Sequence, residues 1–234
     1  MVLIKEIITD AVVTKQPPVD GGMRDKLEKQ LKAFPIAKGD AWWMDRGVET
    51  SNFSEADLII FPGGADINPA LYAEPSGIYT HFSAQVDKNH VEFFKLAKEA
   101  GKKMLGICRG LQLLHVMAGG KLVQHVAHPH NHGLITYDGL ELRTNSLHHQ
   151  QVMFDGLKEG VDYKLLAWAK FPSSMHLNGS NKDYDFGEDY KDPEVVYYPK
   201  INAIGIQGHP EFQGMPQATR TWLEDQIMKY LFTD

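Results

Sequence analysis

A glycine-flanked turn between an apolar strand and a helix is the feature that most constrains this chain. Residues 102–107, KKMLGI, have the pattern of a short buried strand, and residues 109–120, RGLQLLHVMAGG, have that of a helix ended by a glycine pair. Between them lies Cys108, the only cysteine among 234 residues. A strand that passes directly into a helix through such a turn is typical of a parallel sheet covered by helices.

The alternation of strands and helices extends on both sides of this turn. Residues 2–13 and 56–64 have strand character, while residues 25–34 and 83–101 have the pattern of helices. After about residue 121, strand-like segments separated by polar turns follow, and we expect some of them to pair antiparallel. The sequence therefore predicts a three-layer, flavodoxin-like α/β fold. Its central sheet is mostly parallel with helices on both faces, and antiparallel strands occupy the C-terminal half.

The chain length favours one domain spanning residues 1–234. Residues 172–192 are polar and rich in turn residues, which predicts a surface excursion, and residues 215–234 have the spacing of a closing amphipathic helix. No apolar run approaches 18 residues, and charged residues replace a signal-peptide core at the start. We therefore expect a cytoplasmic protein with no membrane partner. The net charge of −6 disfavours nucleic acid as a partner, because phosphate binding needs clustered lysine and arginine.

The turn at Cys108 suits a nucleophile. The N-terminus of a helix favours the thiolate, which is the reactive form of cysteine, and flanking glycines permit the crowded backbone of a tight turn. The N–H of Arg109, the next residue, can face an oxyanion. The alternative is a buried structural cysteine, because free cysteine is among the most buried residue types.

A thiol nucleophile needs a base that later protonates the leaving amine, and a third group that orients the base. The chain has eleven histidines, so composition does not choose one. The segment GIQGHPEF, residues 205–212, offers His209 after an apolar strand. Glu211 lies two residues further, on the same side of an extended chain, although a plain surface turn is the alternative. FPGG, residues 61–64, ends another strand and is a candidate source of a second oxyanion N–H.

Together these segments resemble the class I glutamine amidotransferase-like superfamily, and within it the gamma-glutamyl hydrolase-like (peptidase C26-type) group. The likeness covers most of the chain. It rests on five motifs: FPGGADINPALY (61–72), GICRGLQLL (106–114), GGKLVQ (119–124), SLHHQQV (146–152) and GIQGHPEF (205–212). The Cys-Arg-Gly turn and GGADINP favour the hydrolase-like branch over the glutaminase domains of biosynthetic synthetases.

The resemblance implies a catalytic triad of Cys108, His209 and Glu211 that acts through a gamma-glutamyl thioester. It implies that the amides of Gly64 and Arg109 hold the oxyanion. It also implies substrate-binding roles for the residue one turn into the helix and for three residues of the SLHHQQV motif, namely Gln112, His148, His149 and Gln150.

Several positions depart from what is common in that family. His115 stands where asparagine is common, Lys121 replaces threonine, and Gly208 replaces an aromatic residue before the histidine. Residues 172–192 occupy a region where relatives have an Asp-Gly turn and a glutamate-rich strand. These departures leave the triad untouched, and the last two bear on the substrate.

Four histidines lie close together in HVAHPHNH, residues 125–132. A metal site would need them to converge with suitable geometry, and no cysteine or acidic residue lies among them. We expect a solvated loop or pocket rim, with no metal and no cofactor.

Three functions follow from these features. The leading hypothesis is hydrolysis of a gamma-glutamyl amide bond, with a small gamma-glutamyl compound as substrate. The first alternative is a glutaminase subunit that delivers ammonia to a separate synthetase partner. The second is a catalytically silent binding or regulatory subunit.

Overall fold

The structure is a computed structural model that describes residues 2–4, 48–49, 53–54, 56–187 and 189–233. The helix predicted over 25–34 and most of the strand predicted over 2–13 lie outside this set. The helices of the described part are α1 (Ala84–Glu99), α2 (Arg109–Met117) and α3 (Gln217–Ile227). Its strands are β1 (Val2–Ile4), β2 (Val48–Glu49), β3 (Leu58–Phe61), β4 (Lys103–Ile107), β5 (Lys121–Val123), β6 (His125–Val126), β7 (Asn131–Thr136), β8 (Glu141–Asn145), β9 (Gln151–Met153), β10 (Lys164–Ala169), β11 (His176–Leu177), β12 (Pro193–Tyr198) and β13 (Ala203–Ile206).

Nine strands of the described residues form one mixed sheet, in the order β2-β1-β3-β4-β13-β12-β10-β7-β8. Pairing is parallel from β2 to β13 and antiparallel from β13 to β8. The α/β fold predicted from the sequence is confirmed, with its antiparallel strands in the C-terminal half. The antiparallel share is larger than predicted, because β12, β10, β7 and β8 extend the sheet by four strands.

Helices cover both faces of the sheet. On one face, α1 and α2 share a buried cluster with β3 and β4, through residues such as Phe93 and Leu111. On the other face, α3 buries Trp222, Leu223 and Ile227 against β4, β10 and β13. Strands β3 and β13 are buried along their whole length, as expected of strands covered on both faces.

Part of the polar excursion over 172–192 docks onto the domain. Strand β11 pairs with β6, and the rings of Tyr184, Phe186 and Tyr190 stack at centroid distances of 5.1 and 4.0 Å. Tyr184 and Phe186 pack on a small buried cluster that includes Met153. The aromatic residues of this segment therefore anchor it, although its composition is polar. Among the described residues, no helix has the length and apolarity needed to cross a membrane.

Candidate active site

Cys108 occupies a strained turn between β4 and α2. It is the N-cap of α2, with φ 52° and ψ −108°, a region that non-glycine residues rarely adopt. The glycines on either side are required by packing. A Cβ on Gly106 would lie 2.4 Å from the carbonyl carbon of Gly110, and a Cβ on Gly110 would lie 1.9 Å from the carbonyl oxygen of Phe61. The backbone of the turn thus packs closely against the start of α2 and against β3, and this packing fixes the direction of the thiol.

His209 and Glu211 follow β13, the parallel neighbour of β4. Because Ile206 is in register with Ile107, both Cys108 and His209 lie just past the carboxyl ends of adjacent strands. His209 Nδ1 lies 2.8 Å from Glu211 Oε1. Burial lowers the pKa of His209, but hydrogen bonds to Cys108 and Glu211 outweigh it and raise the pKa to about 10. The structure therefore brings the three predicted triad residues together, with an imidazole that favours its protonated form.

Two residues that the sequence analysis did not single out, Asn145 and Phe212, hold His209 in place. The His209 N–H donates to Asn145 Oδ1 at 2.7 Å, and Asn145 Nδ2 donates to the His209 carbonyl at 2.9 Å. The Phe212 ring stacks on the imidazole at a centroid distance of 4.5 Å. A Cβ on Gly63 would lie only 2.7 Å from His209 Cε1, so the 61–64 turn also runs directly against the ring.

The two predicted oxyanion residues are adjacent in the structure. A Cβ on Gly64 would lie 3.0 Å from Arg109 Cδ. The N–H of Arg109 belongs to the first turn of α2 and has no intrahelical acceptor. The Arg109 side chain is buried and forms an ion pair with Asp87 of α1. Its Nη1 atom lies 2.7 Å from Nδ1 of His90. Burial and the nearby guanidinium lower the pKa of His90 to about 3, so its neutral ring accepts this hydrogen bond.

The predicted substrate-binding residues fall into two groups. Gln112 Nε2 donates to the Gln150 carbonyl at 3.1 Å, and Gln150 Nε2 donates to Thr80 Oγ1 at 3.3 Å. Gln150 Oε1 is buried and has no hydrogen-bond partner among the described residues, which leaves an acceptor for a ligand. His149 is partly exposed, with its Nε2 3.0 Å from Asp66 Oδ1, and this hydrogen bond raises its pKa.

His148 belongs instead to a buried cluster of histidines and carboxylates. Its side chain is 1% exposed, its Nδ1 lies 2.9 Å from the Gln150 carbonyl, and burial lowers its pKa to about 4. The cluster joins four rings from three segments to two acidic side chains: His128, His132, His148, His176, Asp192 and Glu194. The expectation of a solvated histidine loop is therefore wrong for His128 and His132, whose side chains are 1% and 8% exposed.

The carboxylates Asp192 and Glu194 lie far from the histidine-rich segment in sequence, so the pattern of residues 125–132 could not show this pairing. In the described part of the chain, no group of three or more histidine, cysteine, aspartate or glutamate side chains could hold a metal ion.

The structure explains two departures from the family pattern. A Cβ on Gly208 would lie 2.3 Å from Thr144 Oγ1, because the end of β8 occupies the space of a side chain. His115 is fully buried and spans from α2 to two strands, with Nδ1 2.9 Å from the Tyr198 hydroxyl and Nε2 2.9 Å from the Met153 carbonyl. Both substitutions are thus matched by the residues around them.

Comparisons with known proteins agree with this geometry. The Peptidase C26 family model matches residues 45–138. The glutamine amidotransferase-like protein YvdE of Lactococcus lactis is 42% identical over 72 residues, which cover 30% of each chain. Protein NtpR of Enterococcus hirae is 27% identical over 184 residues, or 73% of each chain. The aligned region thus spans under a third of the first of these relatives and almost three quarters of the second.

One solved structure shares the fold over most of its length. It is a Thermoplasma acidophilum protein described as part of a GMP synthase, with a TM-score of 0.52 and 17% identity. The match covers 82% of this chain and 89% of that one. The family-model match over residues 45–138 and the similarity to glutamine amidotransferase-like proteins support the class I glutamine amidotransferase-like superfamily, and the solved structure shows the same fold.

Proposed function

We propose that this chain hydrolyses a gamma-glutamyl amide bond through a thioester on Cys108. The observation that carries the proposal is the placement of His209 beside the Cys108 turn, with Glu211 bound to its Nδ1 at 2.8 Å. Because Glu211 occupies Nδ1, Nε2 is the nitrogen available to the sulfur. The raised pKa of His209 favours an imidazolium beside the sulfur, which can later give a proton to the leaving amine.

The reaction then proceeds in two balanced halves. The Cys108 thiolate attacks the gamma-carbonyl carbon, and the electron pair of the C=O bond moves to oxygen. When the tetrahedral species collapses, the C–N bond breaks and the His209 imidazolium gives its proton to the departing amine. Neutral His209 next removes a proton from water, which attacks the thioester carbon. Glutamate leaves, and the thiolate and imidazolium are restored.

The neighbouring groups supply charge stabilisation and substrate orientation. The N–H groups of Gly64 and Arg109 would hold the oxyanion, and an oxyanion donor of this kind is typically worth about 100- to 1,000-fold in kcat. Glu211 would orient the imidazole and stabilise its charge. The unpaired Gln150 Oε1, beside Gln112, is suited to accept a hydrogen bond from the alpha-ammonium group of the glutamyl head.

A labelling and turnover experiment tests the proposal. Because Cys108 is the only cysteine, a thiol-directed glutamine analogue such as a diazoketone reports on this residue alone. We expect wild-type protein to release glutamate from gamma-glutamyl amides and to gain one adduct in intact-mass spectra. We expect Cys108→Ala and His209→Ala to lose turnover, and His130→Ala, which removes an exposed ring, to keep it.

The result also separates the two alternatives. If the analogue forms an adduct but glutamine is hydrolysed only when a synthetase is present, the role of delivering ammonia to a partner would be favoured. If the protein is folded, its thiol resists the analogue and turnover is nil on every amide, the silent role would be favoured instead, which would overturn the proposal.

A further inference from the structure

We propose that the amine released by this enzyme is neutral and apolar or aromatic, and that Tyr79 and Ile78 form the surface that binds it. This inference rests on the proposed gamma-glutamyl hydrolysis and concerns the part of the substrate beyond the scissile bond. It follows from the contacts around Cys108, from the exposure of two side chains, and from the charge balance of the groups beside them.

A chain of contacts runs from the nucleophile turn to the segment that carries Tyr79. The Gln112 N–H donates to the Cys108 carbonyl at 3.2 Å, and the Gln112 side chain binds the Gln150 carbonyl. The Gln150 side chain in turn binds the hydroxyl of Thr80. Tyr79 precedes Thr80 in the sequence, so the segment that carries its ring is bound to the proposed substrate-binding residues.

A second chain of contacts returns from this segment to the oxyanion turn. The His81 N–H donates to Asp66 Oδ2 at 2.7 Å, and the Asp66 N–H donates to the His81 carbonyl at 3.1 Å. Asp66 lies two residues after Gly64, which abuts Arg109. Hydrogen bonds therefore link residues 78–81 both to the helix that follows Cys108 and to the turn that carries Gly64.

The 78–81 segment presents apolar surface to solvent. Ile78 is 69% exposed and Tyr79 is 44% exposed. The Tyr79 ring stacks on His125 at a centroid distance of 4.1 Å and an interplanar angle of 20°, which holds the ring in a fixed orientation. Large apolar side chains left exposed beside a reaction centre, and held rigid by stacking, are suited to bind an apolar group of the substrate.

The charges next to this surface are balanced. Asp66 is paired with His149 at 3.0 Å and accepts the His81 N–H. Burial and the neighbouring His149 lower the pKa of His125, which disfavours a charge on its ring. A charged substituent on the amine would therefore find no unpaired opposite charge among these groups, whereas a flat apolar substituent gains contact with Tyr79 and Ile78.

A panel of synthetic amides tests this inference. The probes are gamma-glutamyl benzylamide, gamma-glutamyl methylamide, gamma-glutamyl glycine and gamma-glutamyl ethylenediamine, assayed by glutamate release. We expect wild-type protein to prefer the benzylamide over the methylamide by about tenfold or more in kcat/KM, with both charged amides below the benzylamide. Tyr79→Ala should lower the benzylamide-to-methylamide ratio about fivefold, and Tyr79→Phe should keep it.

Phe171→Ala is the matched control, because Phe171 is 75% exposed and its one described ring contact is with Lys170. It should keep the wild-type ratio of kcat/KM for the benzylamide to that for the methylamide. A thermal midpoint of Tyr79→Ala equal to that of wild type would show that this variant is folded. Equal kcat/KM for benzyl and charged amides, or a Tyr79→Ala ratio equal to wild type, would overturn the inference and leave the proposed hydrolysis intact. No turnover on any of the four amides would overturn both.

Discussion

Replacing Gly63 with alanine should misplace the His209 ring without unfolding the protein. The new Cβ would lie 2.7 Å from His209 Cε1, whereas ordinary van der Waals contact begins near 3.4 Å. The ring must therefore move by about 0.7 Å. It cannot do so freely, because Asn145 binds both backbone groups of His209, Glu211 binds its Nδ1 and Phe212 stacks on its face.

The expected cost is catalytic. Displacing a reacting group by about 1 Å typically costs about 100-fold in rate, so we expect kcat of Gly63→Ala to fall by roughly 30- to 100-fold. The thermal midpoint should fall by only about 2 to 8 °C, since an overpacking of this size costs about 1–2 kcal/mol. Glutamate release from a gamma-glutamyl amide gives kcat, and the pH dependence of Cys108 alkylation by iodoacetamide reports on the imidazole independently of turnover.

The control is Gly133→Ala on β7, where the nearest atoms are 3.3 Å away and belong to the flexible Lys170 side chain. This variant should keep wild-type kcat and alkylation. If Gly63→Ala retained kcat within threefold of wild type and showed an unchanged alkylation profile, the argument that this turn positions His209 would be refuted.

Three further variants probe the scaffold. Gly110→Ala would place a Cβ 1.9 Å from the Phe61 carbonyl oxygen, a backbone atom that cannot yield. We expect at least about 3 kcal/mol of destabilisation, measured as a drop of about 10 °C in thermal midpoint, and a midpoint near wild type would contradict it. Asn145→Ala removes both hydrogen bonds between the Asn145 side chain and the His209 backbone. In steady-state assays it should lower kcat about tenfold with little change in KM. An effect on KM alone would argue against a positioning role. Burial lowers the pKa of His115 to about 4, so the unfolded state binds its proton first as the pH falls. The contribution of His115 to folding stability is present above about pH 6.5 and is lost as the pH falls toward 4. His115→Asn should therefore make a plot of thermal midpoint against pH shallower over that interval. An unchanged slope would show that His115 does not titrate as described.

Local patterns were enough to predict most of the fold. Lys103–Ile107 and Ala84–Glu99 lie within the ranges predicted for a strand and a helix, because apolar periodicity and a terminal glycine act over a few residues. The α2 helix ends at Met117, before the predicted limit at residue 120, since Gly119 adopts a φ of 100°. The extent of the antiparallel sheet was not predictable in this way, because strand order depends on pairings between distant segments.

What the sequence alone determined is the chemistry that needs only neighbouring residues. The turn at Cys108 requires glycines within two residues, and the His209–Glu211 contact spans two positions of one extended segment, so both could be inferred from spacing. What only the tertiary structure decided depends on contacts between residues far apart in the chain. Asn145 binds His209 from 64 residues away. The end of β8 excludes a side chain at Gly208. The physical reason is that the Asn145 hydrogen bonds and the packing against Gly208 arise only after distant strands have paired. No local preference of either segment encodes these contacts.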